Sequence, residues 1–194
     1  MEIDIIRYNI KEMLTARGDD TSYIIEHGDA VEVQRYYNEL IVLDTNNTTV
    51  FFALHKDILK EWKQQDESPE EMIEKYKTKY FILVLSDQPS SAMLGYIATR
   101  DKGLQELGGL LQVFYTKELM YNPLKHALVP EHTKLSEAET QEVLELYLAK
   151  KTQLPIIFKT DIIARWLGLR HNDTVKITRH SETSGEYFYY RTCV

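Results

Sequence analysis

Residues 154–191 read LPIIFKTDIIARWLGLRHNDTVKITRHSETSGEYFYYR and pass from a helical to a strand period within a few positions. Thr160 or Asp161 suits a helix N-cap, because a short side-chain oxygen there accepts a hydrogen bond from an orphan N–H of the first turn. The apolar residues that follow, Ile162, Ile163, Trp166 and Leu167, fall at i, i+1, i+4 and i+5. They share one face of a 3.6-residue period, and Arg165 points off it. Gly168 ends this short helix, since glycine takes the left-handed C′ conformation without a Cβ penalty. From Val175 the period becomes two, with Val175, Ile177 and Arg179 on one side and Lys176, Thr178 and His180 on the other. A polar turn from Ser181 to Gly185 follows, and the aromatic run Tyr187 to Tyr190 reads as the returning strand of a hairpin.

Upstream, the chain supplies the material for a separate unit. Ile3, Ile6, Ile10, Met13 and Leu14 make one helical stripe that Gly18 ends. Thr21 to His27 is a short helical or extended piece. Glu39 to Asp44 and Val50 to Leu54 read as strands of a hairpin joined through Asn46 and Asn47, which tolerate left-handed backbone. Ser68-Pro69-Glu70-Glu71 opens a helix, with a capping serine, proline at the first helical position and early acids. Tyr80 to Leu85 is an uninterrupted apolar run of strand length, the pattern of a strand buried on both faces. A helix from Pro89 to about Asp101 and a strand from Leu110 to Tyr115 complete the order helix, strand, strand, helix, strand, helix, strand, which argues an α/β sheet with helical cover. Asn122-Pro123 marks a boundary, since the residue before proline is pushed out of the α region. Ser136 and Glu139 form a capping box that opens a helix to about Tyr147. The fold class expected is α+β, in two domains at 1–121 and 124–194.

Composition bounds the function. The 194 residues are 43% hydrophobic, enough for two small cores. The formal charge of −7 is uneven: 13 basic and 21 acidic residues in 1–123 give −8, and 10 basic and 9 acidic in 124–194 give +1. Affinity for nucleic acid comes largely from neutralised phosphates, so the chain is a poor candidate for binding DNA alone. One cysteine, Cys193, leaves no internal disulfide and no CxxC pair for zinc. The start, MEIDIIRYNIKEML, lacks the basic and apolar regions of a signal peptide, and no run approaches the ~18 apolar residues of a membrane span. A soluble intracellular protein with no membrane partner is expected.

The arrangement Leu154-Pro155-x-Ile157, Asp161, Ala164-Arg165, Leu167-Gly168-Leu169, Val175-Lys176-Ile177, Arg179-x-Ser181-Glu182-Thr183-Ser184-Gly185 and Tyr190-Arg191 resembles the C-terminal domain of the fifth subunit shared by eukaryotic RNA polymerases I, II and III. It is similar also to the archaeal counterpart of that domain, a small polymerase subunit in its own right. The resemblance extends upstream through His126, Leu128, Val129, Pro130, Glu131, His132 and Leu135, about 70 residues in all. Two positions depart from the family pattern: Ile162 stands where proline is usual, and Ala127 replaces an acid. These departures suggest a divergent lineage, of which a large DNA virus encoding its own polymerase is one source.

What the resemblance implies is a non-catalytic polymerase subunit without cofactor or metal. Residues 124–194 would dock on the largest subunit beside neighbouring polymerase subunits. Residues 1–121 would form part of the lower jaw, an inactive restriction-endonuclease-like fold that meets downstream DNA only within the complex. The implied location is the nucleus, or host cytoplasm and virion for a viral homologue. Contact residues are expected among His126, Pro130, His132, Arg165, Arg170, Arg179, Tyr187, Tyr189 and Arg191. Arginine pairs with carboxylates in a bidentate fork, and tyrosine is enriched in interface cores. The alternative for the arginines is a solvated charged face.

Two kinds of chemistry have weak support. A nuclease of this fold needs an acid on one strand and acid-x-lysine on the next; here Asp44 is followed by Leu54-His55-Lys56, and leucine cannot ligate a divalent cation. His126 and His132 with Glu131 make a poor zinc set, and such histidines more often bond backbone groups or face solvent. A free-standing adaptor that uses the same domain to bind polymerase is the remaining alternative.

Overall fold

The computed structural model describes residues 2–22, 24, 30–181 and 185–194, and the chain divides into two compact units, Met1–Tyr121 and Asn122–Val194. Most of the short piece read at Thr21 to His27, and Glu182 to Ser184 of the hairpin turn, lie outside the described residues.

The first unit is a four-stranded sheet with helices on both faces. Its strands are β1 (Ile41–Asp44), β2 (Thr48–Ala53), β3 (Tyr80–Leu85) and β4 (Leu110–Tyr115), in spatial order β1-β2-β3-β4. β1 is antiparallel to β2, whereas β2, β3 and β4 run parallel. Parallel neighbours need a crossover, and the chain supplies α3 (Lys56–Gln64) and α4 (Pro69–Tyr76) between β2 and β3, and α5 (Ser91–Glu106) between β3 and β4. Phe51, Phe81, Leu83 and Leu111 of the sheet pack against Ile58, Trp62, Met72, Ile97 and Leu104 of these helices. On the opposite face Phe52 meets Tyr36 of α2 (Ala30–Asn38) edge to face at 5.0 Å, and Arg17, just past α1 (Glu2–Ala16), donates to Gln112 Oε1 at 2.7 Å. Two-sided burial explains why β3 reads as an unbroken apolar run.

The structure corrects two expectations in this unit. The predicted order lacked α2 and α3, which lie between the helix at the start and β3. α3 is capped by His55, whose Nδ1 accepts from the Asp57 amide at 3.4 Å, and only Ile58, Leu59 and Trp62 carry its apolar stripe. The β1–β2 turn does not use left-handed asparagines: neither Asn46 nor Asn47 has positive φ. Instead Thr45 Oγ1 donates to the Thr48 carbonyl and accepts from the Thr48 amide, both at 2.9 Å.

The second unit is a sheet of order β5-β7-β8-β6, built from β5 (Glu131–Lys134), β6 (Ile156–Ile157), β7 (Thr174–Ser181) and β8 (Gly185–Cys193). β5 and β6 add edge strands to the expected hairpin of β7 and β8. α6 (Glu137–Leu146) opens with the capping box of Ser136 and Glu139, and α7 (Ile162–Trp166) opens on Asp161, whose Oδ1 accepts from the Ile163 amide at 2.8 Å. Ile163, Ala164 and Leu167 form the core with Ile157, Val175 and Cys193 of the sheet.

Candidate functional site

Residues opposite one another in a sheet share a face, and the register of the second sheet sorts the expected contact residues accordingly. Ile177 pairs with both His132 and Tyr189, Arg179 with Tyr187, and Val175 with Arg191. His132, Arg179, Tyr187, Tyr189 and Arg191 therefore lie on the face that carries Val175 and Ile177. Near β6 this face is core, covered by α7. Toward the hairpin tip it turns to surface, and Tyr187 and Tyr189 are 39% and 42% exposed. Aromatic rings in water are what a strand leaves when its core ends before the strand does.

The rings are held rather than loose. The Arg179 guanidinium lies 5.6 Å from the Tyr189 ring centre, and on the reverse face the Lys176 ammonium sits 3.7 Å from the ring centre of Phe188. Such cation–π pairs span diagonal positions of the ladder and fix both members. A groove of about 590 Å³ runs beside the tip, lined by Leu128, Pro130, Arg179, His180 and Tyr187. His132 Nδ1 is 2.6 Å from the Pro130 carbonyl, which can only accept, so this nitrogen carries the proton. Burial holds the His132 pKa below its ordinary value of 6.5, with Arg191 and Arg179 acting in the same direction, against the Pro130 bond and Asp161. Arg191 Nη1 donates to the Ile156 carbonyl at 3.5 Å, and its Nε is buried without a hydrogen-bond partner among the described residues.

The remaining expected residues lie elsewhere in the unit. Arg170 follows α7; its amide donates to Asp173 Oδ2 at 2.7 Å, and the same oxygen binds the Lys134 ammonium at 2.6 Å. Arg165 is half-buried on α7. His126 is exposed, and its Nδ1 accepts from the Leu128 amide at 3.2 Å. Both His126 and His132 thus bond local backbone, and among the described residues no three His, Cys, Asp or Glu side chains converge as a metal would require. Lys176 and Phe188, read with the basic group and the aromatic run, fall on the reverse face, and Leu128, on the groove, was not among the expected contact residues. The signal for Leu128 was an apolar residue with no periodic companion; it is 86% exposed.

In the first unit the nuclease-like residues do not line up. Leu54 is buried, His55 caps α3, Lys56 is the first residue of that helix rather than a strand residue, and Asp44 sits opposite Thr49.

Residues 121–193 match the family described as RNA polymerase Rpb5, C-terminal domain. The match takes in all of the second unit except its last residue. The chain is 46% identical over 85 residues, 44% of its length, to the DNA-directed RNA polymerases I, II, and III subunit RPABC1 of Caenorhabditis elegans, and equally to that of Caenorhabditis briggsae, in each case over 40% of the relative. The protein of the same description from Dictyostelium discoideum is 44% identical over 90 residues, 46% of each chain. The chain matches less than half the length of these relatives.

Proposed function

We propose that this protein is a non-catalytic subunit of a multisubunit DNA-directed RNA polymerase. Its Rpb5-type unit docks on the largest subunit, and Met1–Tyr121 contributes to the lower jaw near downstream DNA, in the nucleus or, for a viral homologue, in host cytoplasm and virion. The observation that carries the docking role is the exposed set of Tyr187, Tyr189 and Arg179, with half-buried Arg191 on the same face, all within the family match. Rigid aromatics next to arginines are the side chains that dominate interface energetics. The jaw role rests on the order of elements in the first unit, an α/β sheet with helices on both faces. With −8 formal charge in residues 1–123, counted as 13 basic and 21 acidic, this unit meets DNA only where the complex presents it.

The experiment is to purify the polymerase through its largest subunit and quantify this chain beside it. Equal amounts are expected, and Tyr189→Ala with Arg179→Glu should lower co-purification at least tenfold, a loss of ~1.4 kcal/mol or more. Substoichiometric, salt-labile association would favour an adaptor that recruits or inhibits polymerase. That second reading draws on the family match, which leaves residues 1–120 uncovered. Metal-dependent cleavage of DNA or RNA that vanished with Lys56→Ala would replace both readings with a nuclease.

A further inference from the structure

The two sheets treat their open edges differently. Successive amides of a strand point to alternate sides, and at β4 the Leu110 and Thr116 amides donate to the Lys79 and Leu85 carbonyls on the side of β3. The amides of Leu111 and Tyr115 are left on the outside, and both are closed by carboxylates: Leu111 donates to Asp101 Oδ1 and Tyr115 to Glu118 Oε2, each at 2.9 Å. At β8 the Thr192 and Val194 amides donate to Pro155 and Ile157 on the side of β6, and the Cys193 amide donates to Asp173 on the side of β7. By the same alternation Glu186, Phe188 and Tyr190 turn their N–H and C=O groups to the β6 side. β6 does not reach them. Its register with β8 brings Pro155 opposite Arg191, and proline has no N–H for the Tyr190 carbonyl, so the pairing stops at Ile156.

Unpaired N–H and C=O groups template another strand, so native edge strands are kept short, covered or charged. β8 is the longest strand among the described residues, at nine residues, and its open part carries Tyr187, Phe188 and Tyr189 in succession, all exposed. Glu186, at the tip, is its one charge before Arg191. Cations flank the edge on both faces, Arg179 beside Tyr189 and Lys176 beside Phe188. Arg191 stands at the end next to β6: its Nη1 reaches the Ile156 carbonyl at 3.5 Å, and its Nε is buried without a partner among the described residues. A buried guanidinium N–H ordinarily has an acceptor. Asp161, which shares the surroundings of His132 with Arg191, is engaged as the cap of α7 through Oδ1. Residues 174–191 hold three basic side chains, Lys176, Arg179 and Arg191, against two acidic, Glu182 and Glu186, a balance of +1.

We propose that β8 takes one more strand on this edge, an extended segment of the largest polymerase subunit that pairs with Glu186 to Tyr190 through its main chain and sets an aspartate or glutamate against Arg191. Main-chain bonds hold such a strand, and its alternate side chains fall on Tyr187 and Tyr189 on one face and on Phe188 on the other. A helix could not serve, because its main-chain groups are already bonded within it. The site rests on the docking role proposed for the second unit and gives that contact its backbone form.

The test uses the full chain co-expressed with the tagged largest subunit from the same source, as wild type, Phe188→Ala, Phe188→Pro, Arg191→Gln and Tyr189→Ala. Phe188→Ala removes the ring and keeps the outward N–H. Phe188→Pro removes both, and proline is tolerated on an edge strand where the N–H points away from the sheet. As free chains the two should melt within a few degrees of one another, yet capture of Phe188→Pro by the largest subunit should be at least tenfold below that of Phe188→Ala. Arg191→Gln should weaken capture at low salt, and the difference from wild type should narrow as salt rises. Amide hydrogen exchange reads the strand itself: the amides of Glu186, Phe188 and Tyr190 should exchange freely in the free chain and be protected in the wild-type complex. Phe188→Pro captured as well as Phe188→Ala, or those three amides unprotected in the complex while Tyr189→Ala is lost, overturns the added strand and leaves the docking role intact. Arg191→Gln captured like wild type at every salt concentration overturns the acid assigned to the segment. Failure to capture the unaltered chain overturns the docking role and the strand together. Phe188→Pro melting far below Phe188→Ala would place that N–H within the fold, and a free chain that sediments as a dimer dissociated by Phe188→Pro would give the edge to a second copy; either result removes the proposal.

Discussion

His132 illustrates how one residue ties the fold to the aromatic-basic face of β7 and β8. Its ring is half-buried beside Ile177, bonds the Pro130 carbonyl, and faces Asp161 as well as the arginines at 179 and 191. Burial depresses its pKa, so between that lowered value and 6.5 the unfolded chain binds a proton that the folded chain does not. Stability therefore rises with pH through this window and is lost on acidification. The melting temperature of the second unit should fall between pH 7 and pH 5, and His132→Gln, which keeps a donor for Pro130, should flatten that fall; calorimetry across the range checks it. An unchanged pH slope would mean the ring is as well solvated folded as unfolded. Little of this could be read from the sequence. His132 was legible as a contact candidate through the family resemblance, but its burial depends on β5, a four-residue polar strand with no apolar alternation to announce it.

At the scale of elements, α7 is the clearest case of agreement between pattern and packing. Ile163 and Trp166 are buried on the predicted stripe, and Trp166 is only 1% exposed. Truncating either to alanine removes a large buried side chain from a small core and should cost on the order of 2–5 kcal/mol, so that thermal unfolding of the second unit moves down by many degrees. A shift of under ~2 degrees would show that the stripe is not core. The N-cap at Ser68, the capping box at Ser136 and the buried run of β3 were legible for the same reason: each rests on contacts local in sequence or on a period. The elements that escaped lack such signals. α3 is capped by a histidine and carries three buried apolar residues among lysines and acids, and β6 has two residues and exists because β8 pairs with it. The aromatics of β8 were visible as an unbroken run that puts rings on both faces of one strand; which ring meets which cation was set by the register, and the sequence alone did not contain it.

The whole molecule consists of two units, each with its own sheet and its own buried cluster. A fragment of residues 122–194 should therefore unfold in a single cooperative transition by heat or denaturant, and a fragment without one would mean the division into units is not a division of stability. The second sheet draws its two inner strands from the C-terminal part of that fragment. Thr192 donates to the Pro155 carbonyl at 2.9 Å, Val194 donates to Ile157 at 3.0 Å and accepts from Lys159 at 2.9 Å, and Cys193 donates to Asp173 at 2.8 Å. β8 is thus the strand on which β6 and β7 both close. During synthesis at ~5–20 residues per second, residues 1–121 emerge with every strand of their sheet several seconds before residues 185–194 leave the ribosome. Over that interval a nascent chain has a first unit free to fold and a second sheet that cannot yet close, so closure of the second unit waits on the emergence of β8 rather than competing with synthesis of the strands before it.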